Sequence, residues 1–218
     1  MAVQADAFRE LRDALPRGVT LVAVSKTKPV ADIRALYDLG QRDFGENYVQ
    51  ELVEKQSLLP PDIRWHFIGH LQSNKVRQIA PFVHLIHGVD SYSLLKEVHK
   101  QGVKTGRAID CLIQIHIARE STKFGLDLDE LDPWLHRYER ERQALTHVRL
   151  RGLMGMATNG CDEIQIREEF SGLEAAFRRY TRLPGWDTLS MGMSVDYPVA
   201  VECGSTMVRI GSLLFGDR

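Results

Sequence analysis

A lysine, an arginine and two strand ends rich in glycine and serine are the parts of this chain best suited to chemistry. Lys26 closes the run 19–26, which is apolar, rich in β-branched residues, and reads as a buried strand. Lys28-Pro29 then stops it, because proline cannot extend a central strand. Lysine rarely ends a buried strand unless it is paired or used. An ε-amine held in a partly desolvated place loses proton affinity and becomes a nucleophile toward aldehydes. Taken alone, Lys26 fits a side chain reaching out to solvent equally well.

The far end of the chain shifts that balance. Residues 188–194 and 202–212 each run from a short strand into Gly and Ser, where bare backbone N–H groups and hydroxyls can surround an anion. Arg209 is a charge inside the last apolar run. An aldehyde-seeking amine at one end and two anion-type cradles with an arginine at the other suit a ligand that carries both an aldehyde and a phosphate.

Other candidates read as structural. His66 and His70 stand four apart, roughly 13 Å along a strand, and share no HExxH pattern, so no metal site is expected. His84 and His87 fall on opposite faces of one strand. Gly192-Met-Ser194 lacks the second glycine of a nucleophile elbow. Lys28, in a loop before proline, and Lys75, at a helix start, read as solvated charges or substrate-edge contacts.

These residues need elements to bring them together. At 218 residues and 44% hydrophobic, the chain can build one large core or two small ones. A net charge of −1 gives no general attraction to nucleic acid or anionic membrane. Three scattered cysteines without CxxC spacing fit a reducing compartment, and neither a signal peptide nor a membrane span is apparent, so a cytoplasmic protein is expected. A helix near 4–15 precedes strand candidates at 19–26, 43–47, 64–69, 84–90, 110–117, 148–157, 188–193 and 206–211, with helical patterns between them. The clearest follows Asp162, where Gln165 suggests a capping box and Ile166, Phe170, Leu173, Phe177 and Tyr180 repeat at helical spacing. Eight strands, each but the last followed by a helix, predict parallel pairing and a single-domain (β/α)8 barrel over residues 1–218 with an extra N-terminal helix. An open doubly wound sheet would carry a glycine-rich first turn, and here that turn is Ser-Lys-Thr-Lys-Pro. In a barrel all strand C-termini share one face, so Lys26, Ser194 and Gly211 meet there.

Six segments carry a family resemblance: 23–29 (AVSKTKP), 44–51 (FGENYVQE), 65–75 (WHFIGHLQSNK), 151–154 (RGLM), 189–194 (LSMGMS) and 204–211 (GSTMVRIG). Together they resemble the YggS/PROSC family of pyridoxal-phosphate-binding proteins, whose fold is similar to the barrel domain of alanine racemase. The resemblance implies that Lys26 forms a Schiff base with pyridoxal 5′-phosphate (PLP). It implies that Ser194, Arg209, Gly211 and Ser212 form the phosphate region, with the pyridine edge as an alternative place for Arg209, and that Asn47 belongs to the same pocket. One segment departs: His116 stands where the family more usually has asparagine, and no pocket contact is assigned around 115–123.

Three functions fit these residues. One is a carrier that holds PLP, buffers it, and passes it to apo-enzymes without catalysing a reaction of its own. The second is a racemase or decarboxylase. The third is a cofactor-free aldolase using Lys26. Racemisation needs an acid/base on each face of the reacting carbon. Lys26 supplies one face, and the second domain that supplies the other in alanine racemase has no counterpart here. The carrier is therefore expected, as a monomer with no catalytic residues.

Overall fold

A computed structural model describes residues 3–120 and 123–216. All eight predicted strands form: β1 (Thr20–Val24), β2 (Asp43–Glu46), β3 (Arg64–Phe67), β4 (Leu85–Val89), β5 (Ile109–Gln114), β6 (Val148–Met154), β7 (Thr188–Ser190) and β8 (Met207–Ile210). They pair in parallel in sequence order, and β8 returns to β1 through the register Thr20↔Met207 to Ala23↔Ile210, closing the barrel. Most strand residues are buried, as expected where helices cover the outside and side chains fill the inside.

The extra helix α1 (Ala5–Ala14) is present and buries Phe8 and Leu11. The barrel helices are α2 (Val30–Asp38), α3 (Val49–Leu58), α4 (Val76–Ile79), α5 (Tyr92–Thr105), α6 (Leu131–Glu141), α7 (Glu163–Arg178) and α8 (Tyr197–Glu202). One expectation needs correcting: the last strand is also followed by a helix, the single turn α9 (Ser212–Phe215). It folds because Leu214 and Phe215 bury their side chains while their N–H groups bond the Gly211 carbonyl. At α7 only half of the capping box forms. Asp162 accepts the Gln165 N–H, but the Gln165 side chain turns to Glu169 instead.

Two cores result. The large one lies between the sheet and the helices, whereas the barrel interior holds a small cluster of Val22, Leu85, Leu112, Met154 and Met207. The rest of that interior is unusually polar: His66, His87, Ser190 and Arg209 are all buried. Among the described residues no helix is long and apolar enough to cross a membrane.

Candidate functional site

The strand that leads to Lys26 ends at Val24 rather than at the lysine. The Ser25 N–H still bonds the Gly45 carbonyl at 3.0 Å, and then the chain turns sharply. Thr27 has φ +61°, and among the described residues it is the one non-glycine with positive φ. For a β-branched residue this conformation costs roughly 1–3 kcal/mol and needs support from its surroundings. That support is an ionic cluster. Lys55 Nζ donates to the Ser25 carbonyl, Glu46 Oε1 and Glu51 Oε2, each at 2.8 Å. Glu51 Oε2 also accepts the Thr27 N–H at 2.8 Å, and Ser25 Oγ donates to Glu46 at 2.6 Å. Burial raises the Glu46 carboxyl and the adjacent Lys55 ammonium opposes that rise. Burial also works to raise Glu51, but the Lys55 and Thr27 donors hold it below its usual range. Lys28 Nζ donates to the carbonyls of Phe215 and Gly216, both at 3.1 Å, tying this loop to the C-terminal turn.

Lys26, Asn47, Ser194, Arg209, Gly211 and Ser212 all line one cavity of about 350 Å³ at the C-terminal mouth of the barrel. That volume is typical of small-molecule sites. Its polar lining offers both hydrogen-bond donors and an acceptor. Ser194 Oγ accepts the Gly211 N–H at 3.2 Å. Among the described residues the N–H groups of Ser194 and Ser212 meet no protein acceptor. Asn47 Oδ1 is buried and has no partner among the described residues. Gly69 presses against the Asn47 backbone so closely that a Cβ there would lie 2.3 Å from the Asn47 carbonyl, which explains why glycine stands at that position.

Arg209 is 3% exposed. Its Nη1 donates to the Ser190 carbonyl at 2.9 Å and to Ser190 Oγ at 2.6 Å, and its Nη2 donates to the Gly155 carbonyl at 3.0 Å. Burial pulls the guanidinium down to about 10, partly offset by Asp196, so it remains a fixed cation at neutral pH.

The sequence reading missed several walls of this cavity, among them Met156, the loop 158–161, Ile166, Met193 and Asp196. The turn dipeptide Asn159-Gly160 after β6 was the available signal. Cys161 lies in that loop and donates to the Thr158 carbonyl at 3.1 Å. Burial raises its thiol, keeping it protonated at neutral pH. His116 lies outside the cavity, against the Glu120 carbonyl at 2.9 Å, and Ser121 and Thr122 of that segment fall outside the described residues. Lys75 faces a separate neighbouring cavity, shared with Tyr48 and His70.

The opposite mouth is filled with matched charges. Arg64 grips Asp43 with two nitrogens, Asp110 takes Arg149 and Arg151, and Arg151 also reaches Asp187. His66 is buried and its Nε2 lies 3.0 Å from Asp43 Oδ1. His70 is exposed, stacked on Phe124 and bonded to Asp90. His87 is buried inside the barrel and His84 is exposed at its rim. Asp43, His66 and His84 bring ligand-type atoms within 4.8 Å of one another, a spacing that pairing within single strands did not reveal.

A closed parallel barrel with a lysine-lined cavity at its C-terminal mouth places the chain in a known class. Residues 4–218 match the family described as alanine racemase, N-terminal domain. Within that class the chain belongs to the pyridoxal phosphate homeostasis proteins. It is 42% identical over 208 residues to the protein of that name from Escherichia coli (strain K12), covering 93% of this chain and 87% of the relative. To the one from Synechocystis sp. it is 38% identical over 216 residues, 97% of each. The solved structure of PipY from Synechococcus elongatus PCC7942 without PLP superposes with TM-score 0.90 at 37% identity, covering 97% of this chain and 99% of that one. The same protein with PLP bound gives TM-score 0.85 at 36% identity. Alanine racemase from E. faecalis, at 14% identity and TM-score 0.77, shares the fold.

Proposed function

We propose that this protein binds PLP at the C-terminal mouth and buffers it in the cell without transforming amino acids. The observation that carries this reading is the convergence, on one cavity, of Lys26 with backbone donors and a buried amide oxygen of Asn47 that meet no partner among the described residues. It is supported by relatives named for pyridoxal phosphate homeostasis and by PipY solved with PLP bound. Lys26 is the amine that joins the aldehyde carbon, with the aldehyde oxygen leaving as water. Ser194, Gly211 and Ser212 hold the phosphate through hydroxyl and N–H groups. Arg209 keeps its positive charge beside the ring, and Asn47 positions it.

A racemase or decarboxylase is the weaker reading. The side chains of the cavity that titrate are Lys26, Cys161, Asp196 and Arg209. Asp196 already accepts the Met193 N–H at 2.6 Å, and Cys161 stays protonated, so neither is placed as a second acid/base. Tyr48 lines the neighbouring cavity. We read the whole chain as one domain, acting as a cytoplasmic monomer that passes PLP to apo-enzymes.

Borohydride reduction of the PLP-loaded protein followed by peptide mapping tests the assignment. The phosphopyridoxyl group belongs on Lys26, and recovery on Lys28 or Lys75 overturns it. Incubation with L-amino acids in deuterated water tests the absence of turnover. Sustained α-proton exchange that disappears in Lys26→Ala would make the protein an enzyme.

A further inference from the structure

Four hydrogen bonds run through the barrel interior from one mouth to the other. Arg209 Nη1 meets Ser190 Oγ at 2.6 Å, and Ser190 Oγ meets His87 Nδ1 at 3.1 Å. His87 Nε2 then meets His66 Nδ1 at 3.0 Å, and His66 Nε2 meets Asp43 Oδ1 at 3.0 Å. His66, His87 and Ser190 are each 0% exposed and Arg209 is 3% exposed. Bulk solvent therefore does not reach these four side chains.

The two ends dictate the direction of every bond. Arginine only donates and an ionised carboxylate only accepts. Asp43 is ionised: burial works to raise it, but the hydrogen bonds from His66 and Arg64 hold it at about 2. Ser190 Oγ accepts from Arg209, so its proton goes to His87 Nδ1, the acceptor within reach among the described residues. Burial pushes His87 well below the ordinary histidine value, with His66 and Arg209 adding to the effect, so the ring is neutral. Its proton therefore sits on Nε2 and is donated to His66 Nδ1. His66 in turn carries its proton on Nε2 and donates it to Asp43. Every member is satisfied, and each bond polarises the next.

We propose that Ser190, His87, His66 and Asp43 form a directed hydrogen-bond wire that positions Arg209 in the PLP pocket from the opposite mouth of the barrel. They are positioning residues: Arg209 faces the pocket, and the other four face Arg209 or one another. The anion at Asp43 polarises the wire toward itself and strengthens Ser190 as an acceptor, which fixes the plane of the guanidinium. This inference rests on the PLP reading for its consequence, but the wire itself can be tested without PLP.

The first experiment is 15N imidazole NMR on the ligand-free protein with labelled histidine. Both His66 and His87 should show a protonated Nε2 and a lone pair on Nδ1. A proton on Nδ1 of either ring overturns the wire. The second is His87→Phe, which keeps a ring of similar shape and removes both hydrogen bonds. Losing support for a buried charge should weaken binding of PLP and of unphosphorylated pyridoxal by the same factor, about tenfold, and shift the visible band of the bound cofactor. His87→Gln, whose amide both donates and accepts, should recover part of the loss. Unchanged affinity and spectrum in a folded His87→Phe protein refute the positioning role. If His87→Phe does not fold, Ser190→Ala serves the same comparison with a smaller change of volume. Failure of the wild type to bind PLP would refute the function proposed above and leave the NMR result standing.

Discussion

The two mouths of this barrel use charge in opposite ways. At the N-terminal mouth Asp43, Asp110 and Asp187 are each matched by arginine, so the charges answer one another. At the C-terminal mouth, among the described residues, the Asn47 amide oxygen and backbone donors stay unanswered around a cavity, and a β-branched residue is pressed into a left-handed turn beside Lys26. Such costs persist where a ligand or a reaction recovers them. The contrast teaches that neither density of charge nor number of histidines marks the site; unmet hydrogen-bonding capacity does.

Four changes would break or sharpen this contrast. Lys26→Ala should have the largest effect. Borohydride-trapped label should vanish and PLP affinity should fall about a hundredfold, roughly 2.7 kcal/mol, read by absorption titration. Gly211→Leu comes next, because a Cβ at this position already touches Val24 at 3.5 Å and a longer side chain must grow into the cavity. PLP binding should fall about tenfold, since charge-assisted bonds to phosphate are lost, while pyridoxal binding stays within twofold. Equal losses would mean that this turn does not hold the phosphate.

The remaining two act on the other mouth and on stability. Asp43 is held at about 2, below its ordinary 3.8, so its ionised form stabilises the fold above pH 4. That contribution, about 2 kcal/mol, is lost as pH falls through 4 toward 2, and thermal melts across that window should show it. Arg151→Ala releases Asp110 and Asp187 at a partly exposed position. It should cost about 1 kcal/mol in denaturant unfolding and leave PLP affinity unchanged.

The fold was legible because each strand is a short apolar run in which any charge is conspicuous. Lys26 and Arg209 stood out for the same reason, and both line the cavity. Asn47 was different: nothing in its immediate sequence separates it from a turn residue, and only the family resemblance pointed to it. Lys55 was invisible, since within the helical spacing of 48–55 it reads as a solvated charge, yet it is buried under the Lys26 loop. The loop 158–161 was hidden by the ordinariness of Asn-Gly turns. The Asp43–Arg209 wire was beyond sequence reasoning altogether. One of its four bonds joins His87 to Ser190 across 103 positions, and only closure of the barrel brings them together.

The grip of Lys28 on the Phe215 carbonyl spans 187 positions, joining the loop that carries Lys26 to the turn that begins at Ser212. At about 5–20 residues per second, a ribosome takes roughly ten to forty seconds to make the chain between those two residues. Throughout that interval the amine of Lys26 exists without Gly211 and Ser212, which line the same cavity. If PLP binds as proposed, a nascent chain can meet it as a reactive aldehyde before the residues proposed to hold its phosphate have been made. On that proposal retention begins only when β8 docks on β1 and the ring shuts, so bound PLP would report on completed barrels and slow their reopening.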